Sequence, residues 1–284
     1  MAVVATGFFD GVHLGHRQVI QVLVSCAREK GEEAIAVTFA QHPRTILQQD
    51  AHALRLLNSP QEKEALLRSL GVDRVETLPF DKEFARLGAC EYIRDVLVAR
   101  FGATALVLGY DNRLGSDCLT PDRIKPLAEF FGLEVRIVGA ATAGEVVVSS
   151  TKIREALEGG DVETARAMLG YWYGLRGVVV GGKHLGREIG YPTANLRLSD
   201  PMKLVPRRGV YLTEIEILGK KHWGMTNVDD VLETYIFDFH EDIYGLDLDV
   251  RFRHYLREMR PIDDLDALHA QLAADEQACR ALIR

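Results

Sequence analysis

At 284 residues the chain is about twice the usual single-domain length, and 47% hydrophobic residues are enough to fill two compact cores. A net charge of −7 excludes generic nucleic-acid binding, which needs an extended basic surface, although a small anion can still bind where cations cluster locally. The opening Met1-Ala2-Val3-Val4-Ala5-Thr6 has none of the marks of a signal peptide or membrane anchor. Cys26, Cys90, Cys118 and Cys279 form no C-x-x-C pair, so the expectation is a reduced, cytoplasmic protein without a zinc site or disulfides.

Short apolar runs read as strands over Val3 to Phe9, Ala34 to Phe39, Arg74 to Leu78, Ala105 to Leu108 and Glu134 to Val138. Between them, Arg17 to Glu29, Gln61 to Leu70, Ala89 to Phe101 and Ile124 to Phe131 carry helical periodicity, with Gly71, Gly102 and Gly132 as stops. This alternation predicts a parallel sheet with crossover helices. After one further helical piece, Ile153 to Leu169, the rhythm changes. Gly174 to Val180, Gly209 to Ile217 and Leu232 to Phe239 read as strands with no long helix between them, so a β unit is expected from residue 171, closed by a helix over Asp264 to Ile283. The expected domains are residues 1–170 and 171–284.

Gly7-Phe8-Phe9-Asp10-Gly11-Val12-His13-Leu14-Gly15-His16 follows the first strand and precedes the first helix, where an open parallel sheet places its ligand crevice. Glycines let backbone approach a phosphate, and the amides of a helix start point at an anion. His16 and Arg17 put potential positive charge at the positive end of a helix dipole, which is unfavourable unless an anion intervenes. Ser149-Ser150-Thr151-Lys152-Ile153-Arg154 repeats the pattern: Ser150 or Thr151 can cap a helix, but Arg154 stands where a capping box needs Glu, so a second anion contact is expected. In Gly186-Arg187-Glu188-Ile189-Gly190-Tyr191-Pro192-Thr193-Ala194-Asn195, Thr193 and Asn195 offer two oxygens that suit Mg²⁺ shared with ATP phosphates. The same residues also suit an ordinary turn.

His13-Leu14-Gly15-His16 resembles the H-x-G-H signature of nucleotidyltransferases, and Pro192-Thr193-Ala194-Asn195 resembles the P-T-A-N motif of riboflavin kinases. With both in this order, the chain resembles the bacterial bifunctional riboflavin kinase/FAD synthetase family from Val3 to its C-terminus. The resemblance implies a Rossmann-like FMN adenylyltransferase domain followed by an antiparallel β-barrel kinase domain with a terminal helix. It implies riboflavin, FMN and ATP as substrates with Mg²⁺. For adenylylation it implies His13 and His16 as catalytic residues, ATP contacts from Gly7, Phe8, Phe9, Asp10, Gly11, Ser149, Ser150, Thr151 and Arg154, and flavin contacts from Phe39, His42, Asp111 and Asn112. For the kinase it implies Glu233 as catalytic base, Thr193 and Asn195 at the metal, ATP contacts from Gly182, Lys183, Gly186, Arg187, Gly190, Tyr191 and Pro192, and flavin contacts from Arg257 and Arg260.

Two departures stand out. Only Val228-Asp229-Asp230-Val231-Leu232 separates Asn227 from Glu233, where the family carries a longer loop with a Gly-x-Arg-Pro-Thr stretch. Asn112-Arg113-Leu114 replaces a usual Phe-x-Phe. The rival readings are an adenylyltransferase for another small phosphate, against which Thr193 and Asn195 argue, and a flavin-binding or adenylyltransferase-only protein with an impaired kinase domain.

Overall fold

The computed structural model describes residues 1–41, 54–181, 190–260 and 264–283. By its contacts the chain divides into two compact units, Met1–Ser150 and Thr151–Arg284. The first holds the strands β1 (Ala2–Thr6), β2 (Glu33–Phe39), β3 (Arg74–Leu78), β4 (Ala103–Gly109) and β5 (Glu134–Val138), all parallel, in the order β3-β2-β1-β4-β5. Central β1 is buried at every residue because both faces are covered, which explains an apolar run with no alternation. Val3 and Ala5 face α1 (Leu14–Lys30) and α2 (Pro60–Ser69). Ala2 and Val4 face α3, which starts at Ala89–Glu91 and runs on as the π-helical turns Tyr92–Arg100, and α4 (Pro121–Phe130). Gly71, Gly102 and Gly132 all take positive φ, as helix stops require. The expected strand to Phe9 ends earlier, at Thr6, because Phe9, Gly11 and Val12 adopt left-handed backbone and turn the chain into α1. A small hairpin, β6 (Thr142–Ala143) and β7 (Val146–Val147), precedes the unit's end.

The expected single helix Ile153 to Leu169 is two helices. α5 (Ser150–Gly159) stops where Gly160 takes φ 86°, and Asp161 caps α6 (Val162–Leu169) by accepting the Thr164 amide at 2.9 Å. Both pack on the β unit that follows. The Arg207 amide donates to the Leu157 carbonyl, Glu163 meets His254, and the guanidinium groups of Arg166 and Arg253 lie 4.6 and 4.7 Å from the Trp172 ring.

That β unit is a closed antiparallel barrel, β10-β11-β12-β9-β8-β13, made of β8 (Gly174–Val180), β9 (Thr193–Leu198), β10 (Gly209–Ile217), β11 (Lys220–Val228), β12 (Leu232–Ile236) and β13 (Asp247–Arg257). Three of these strands, β9, β11 and β13, are absent from the sequence reading. Their charged and polar residues break the apolar signal, and β9 coincides with the Pro-Thr-Ala-Asn run that also suits a turn. Inside the barrel the hydroxyls of Thr213, Thr226 and Thr234 form a chain with 2.9 Å steps, so each buried hydroxyl has a partner. Outside it, the terminal helix α7 (Leu265–Ile283) covers Val210, Leu212 and Met225 with Leu272, Cys279 and Ile283. This second covering is why β10 is buried almost throughout. Gly224 of β11 lies tight against β12 and β10: a Cβ there would stand 2.3 Å from the Tyr235 carbonyl oxygen and 2.8 Å from Ile215 Cδ1. Gly224→Ala is therefore expected to lower barrel stability by about 2 kcal/mol, read by urea unfolding followed through tryptophan fluorescence, since both tryptophans, Trp172 and Trp223, lie in this unit.

Candidate active sites

In the first unit the strand order reverses between β1 and β4, and the candidate residues follow the carboxyl ends of β1, β2 and β4. The turn after β1 is fixed from several sides. The Gly7 amide donates to the Val37 carbonyl at 3.0 Å, Thr38 Oγ1 donates to the Phe8 carbonyl at 3.0 Å, and buried Asp10 accepts the Leu57 amide at 2.9 Å. Asn112 Nδ2 donates to the Thr6 carbonyl at 3.0 Å and so ties the ends of β4 and β1, while Asp111 beside it is exposed. Ser150, some 140 residues away in sequence, donates its hydroxyl to the Asp10 carbonyl at 3.0 Å and brings the serine run to the histidine turn. Ser149 precedes it, and Thr151 and Arg154 lie on the first turns of α5. Phe39 ends β2 in an aromatic cluster with Phe80 and Phe84 at centroid distances of 5.3 and 5.8 Å. His42 lies outside the described residues.

His13 is the N-cap of α1: its Nδ1 accepts the His16 amide at 3.4 Å, which assigns the imidazole proton to Nε2. The two imidazoles stack at 3.6 Å, and Phe9 meets His16 edge-on at 5.4 Å. Burial pushes His13 down to about 4 and holds His16 well below the usual imidazole range, with His13 and Lys63 adding repulsion. Both rings are therefore neutral at pH 7. The expected conflict between a charged His16 and the helix dipole is thus removed without an anion, chiefly by desolvation, and Arg17 donates to the Val12 carbonyl at 3.2 Å. His16 Nδ1 is buried without a hydrogen-bond partner among the described residues, so this ring keeps an unused hydrogen-bonding position.

The positive charge comes instead from Lys63 of α2, which the sequence reading missed. It is 5% exposed and donates to the Phe8 and Phe39 carbonyls at 3.1 and 3.3 Å. The signal was its position four residues before buried Leu67, on the apolar face of an amphipathic helix.

In the barrel, register aligns three polar side chains on adjacent strands: Asn195 of β9 faces Glu233 of β12, and Glu233 faces Asn227 of β11. Residues paired across a ladder share a face, so the three form one row, with Thr193 two residues from Asn195 on the same face. Asn227 Oδ1 is buried without a hydrogen-bond partner. A cleft of about 250 Å³ opens where β9 begins and β12 ends, lined by residues that include Pro192, Thr193, Phe239, His240 and Tyr244. The segment from Phe239 to Tyr244 was not singled out from sequence because the expected strand ran through Phe239, whereas β12 ends at Ile236. β11 and β12 join through Asp229, Asp230 and Val231 alone, and Arg208 pairs with both aspartates.

Two residues with expected contacts have partners within the unit. Tyr191 packs edge-on to Tyr235 and His269 at 5.0 and 5.6 Å, beneath α7. Arg257 is held by Asp275 of α7 in two hydrogen bonds of 2.8 and 2.6 Å. Gly190 precedes Tyr191 with φ 81°, and Arg260 is exposed beyond β13. Gly182, Lys183, Gly186 and Arg187 lie outside the described residues.

The buried histidine of the turn has a measurable consequence. An imidazole depressed to about 4 binds its proton more readily in the unfolded chain, so its contribution is complete above pH 6.5 and is lost as pH falls from 6.5 towards 4. At pH 5 His13 alone is expected to cost about 2 kcal/mol relative to pH 7, read by hydrogen exchange of the β1 amides. His13→Asn, which keeps a capping side chain, should remove that part of the acid sensitivity.

The FAD synthetase family model matches residues 1–152, and the riboflavin kinase family model matches residues 169–283. A bifunctional riboflavin kinase/FMN adenylyltransferase of Listeria monocytogenes is 35% identical over 291 residues, covering 98% of this chain and 91% of that protein. The protein of the same name in Escherichia coli is 33% identical over 292 residues, covering 98% and 91%. The crystal structure of a macrolide-efflux protein from Streptococcus pneumoniae is similar with a TM-score of 0.90 at 34% identity, over 98% of this chain and 94% of that one. Among the described residues here, no helix is long and apolar enough to cross a membrane. With both family models matched in order and relatives aligned over nearly its whole length, this chain belongs to the bifunctional riboflavin kinase/FMN adenylyltransferase family.

Proposed function

We propose that the chain phosphorylates riboflavin to FMN with one ATP, then transfers the adenylyl group of a second ATP to FMN, giving FAD and pyrophosphate. The observation that carries this reading is the gathering of each family's motif residues within its own unit: the histidine turn with Ser150 in the first, and the Asn195, Glu233, Asn227 row beside a cleft in the second. Along the chain we assign adenylyl transfer to residues 1–170 and phosphoryl transfer to 171–284. The four cysteines are all free, which fits a cytoplasmic enzyme.

In the kinase reaction Glu233 accepts the proton of the riboflavin 5′-hydroxyl as that oxygen attacks the γ-phosphorus of ATP. A free carboxylate of pKa about 4.3 is a weak base, so positioning by the flanking strands supplies most of the rate. The hydroxyl of Thr193, the amide oxygen of Asn195 and the unpartnered Oδ1 of Asn227 are hard oxygen donors that fit Mg²⁺ shared with ATP phosphates. When bound, that ion would neutralise charge on the transferred group.

In the adenylylation reaction a phosphate oxygen of FMN attacks the α-phosphorus of ATP and pyrophosphate leaves. A phosphate is already anionic at neutral pH, so no general base is required. Neutral His13 and His16 serve as hydrogen-bond donors to phosphoryl oxygens as charge shifts towards the leaving group, with the Gly7 to Gly11 backbone, Ser149, Ser150, Thr151 and Arg154 as further phosphate contacts. The aromatic cluster at Phe39, with Asp111 and Asn112, is assigned to the flavin. Flavin binding without kinase chemistry is favoured by no observation, since Glu233 and its two flanking amides keep their register across the short β11–β12 turn.

Purified protein incubated with riboflavin, ATP and Mg²⁺ is expected to form FMN and then FAD, resolved by chromatography, with a parallel reaction begun from FMN. Glu233→Ala should lower riboflavin phosphorylation about 10²- to 10⁴-fold and leave FMN adenylylation intact. His13→Ala should lower adenylylation about 10²-fold and leave the kinase intact. Riboflavin left unconverted while FMN yields FAD would refute the kinase assignment, and two inert flavins would refute the whole reading.

A further inference from the structure

Lys63 is placed against ordinary electrostatics. It stands in the first turn of α2, after the Ser59 cap and Pro60, where the helix dipole disfavours a cation. It is 5% exposed, and among the described residues its ammonium pairs with no carboxylate. Two of the three N–H donors of an ammonium go to the Phe8 and Phe39 carbonyls, and the group lies 4.0 Å from the centre of the Phe8 ring. Phe8 follows β1 and Phe39 ends β2, so Nζ sits over the carboxyl ends of two adjacent strands, beside the histidine turn. A neutral amide could tie two carbonyls together without burying a charge, so this tie alone does not account for a lysine.

We propose that Lys63 is a phosphate-facing cation of the adenylylation site and donates its third N–H to a phosphoryl oxygen of bound ATP. The inference rests on the adenylyl-transfer reading above. Among the described residues, the charged or titratable groups around it are Asp10 of the turn and His13 and His16 of α1. Asp10 already accepts the Leu57 and Asn58 amides, and both imidazoles are neutral at pH 7. The bound triphosphate then supplies a counterion in direct contact, which none of the described carboxylates provides. Burial lowers Lys63 to about 8, against a weaker pull from Asp10 in the other direction, and an arriving anion raises it again. Binding is therefore linked to proton uptake: ATP affinity is full below pH 8 and weakens as pH rises above it.

The test follows FMN conversion to FAD by the full-length protein from pH 7 to 9.5. For the wild type, KM for ATP is expected to rise about tenfold per pH unit above 8. Lys63→Met should raise that KM at least tenfold at pH 7 and abolish the alkaline rise. Lys63→Arg, permanently charged, should keep a lower KM than Lys63→Met and also abolish the rise. Riboflavin phosphorylation by the same samples should be unchanged, which separates a lost contact from a misfolded chain. A Lys63→Met protein with wild-type KM at pH 7, or one that keeps the alkaline rise, overturns the assignment. A wild type that makes no FAD from FMN overturns the functional reading itself.

Discussion

Desolvation at the carboxyl ends of β1 and β2 governs the first unit. An ammonium on α2 and two imidazoles at the start of α1 are desolvated there, and taking a charge out of water costs several kcal/mol per ion. The histidines meet that constraint by staying neutral, and the lysine by resting on two carbonyls and an aromatic face. The surroundings follow from holding these groups in place. The left-handed backbone at Phe9, Gly11 and Val12 bends the chain so that His13 caps α1. Asp10 is spent on backbone amides of the segment before α2, and Asn112 and Ser150 fix the carbonyls at either end of the turn. A buried polar cluster of this kind is rigid, and a site that must hold donors in place before charge develops needs that rigidity.

The barrel unit follows a different logic. Inside it three threonine hydroxyls on β10, β11 and β12 satisfy one another, its outer wall is covered along β10 by α7, and the polar row of Asn195, Glu233 and Asn227 is the part of the wall to which we assign the kinase chemistry. The ion pair of Arg257 with Asp275 binds the last strand to the covering helix, and Arg257 is the register partner of Val210, which in turn pairs with Asn227. Helix position and row geometry are thereby connected through one strand, β10.

The parallel sheet was legible from sequence because its inner strands β1, β2 and β4 are mainly apolar runs, its edge strands β3 and β5 keep alternating β-branched and apolar residues, and the helices between them end near glycines that take positive φ. β3 and β5 agree to the residue. The histidine turn was singled out by its place between a strand and a helix, whereas the neutrality of both rings, which removes the expected conflict with the helix dipole, comes from burial that the sequence does not display. Lys63 was not singled out, since charge in an amphipathic helix reads as solvent-facing and only the tertiary fold places it over two strand ends. Three barrel strands were missed for a related reason: Lys220, Lys221 and His222 of β11 and the arginines of β13 interrupt the apolar pattern, while cross-strand pairing, invisible along the chain, sets their conformation. Expected roles for Tyr191 and Arg257 came from motif position, and the register and α7 gave both side chains partners that sequence does not display.

The helices between the two sets of strands belong to two accounts at once. α5 opens with the serine and arginine run assigned to the first reaction, yet α5 and α6 pack on the barrel through Leu157, Glu163 and Arg166. A fragment meant to carry the barrel therefore has to begin no later than Ser150, since a cut inside α5 or α6 removes helices that pack on it.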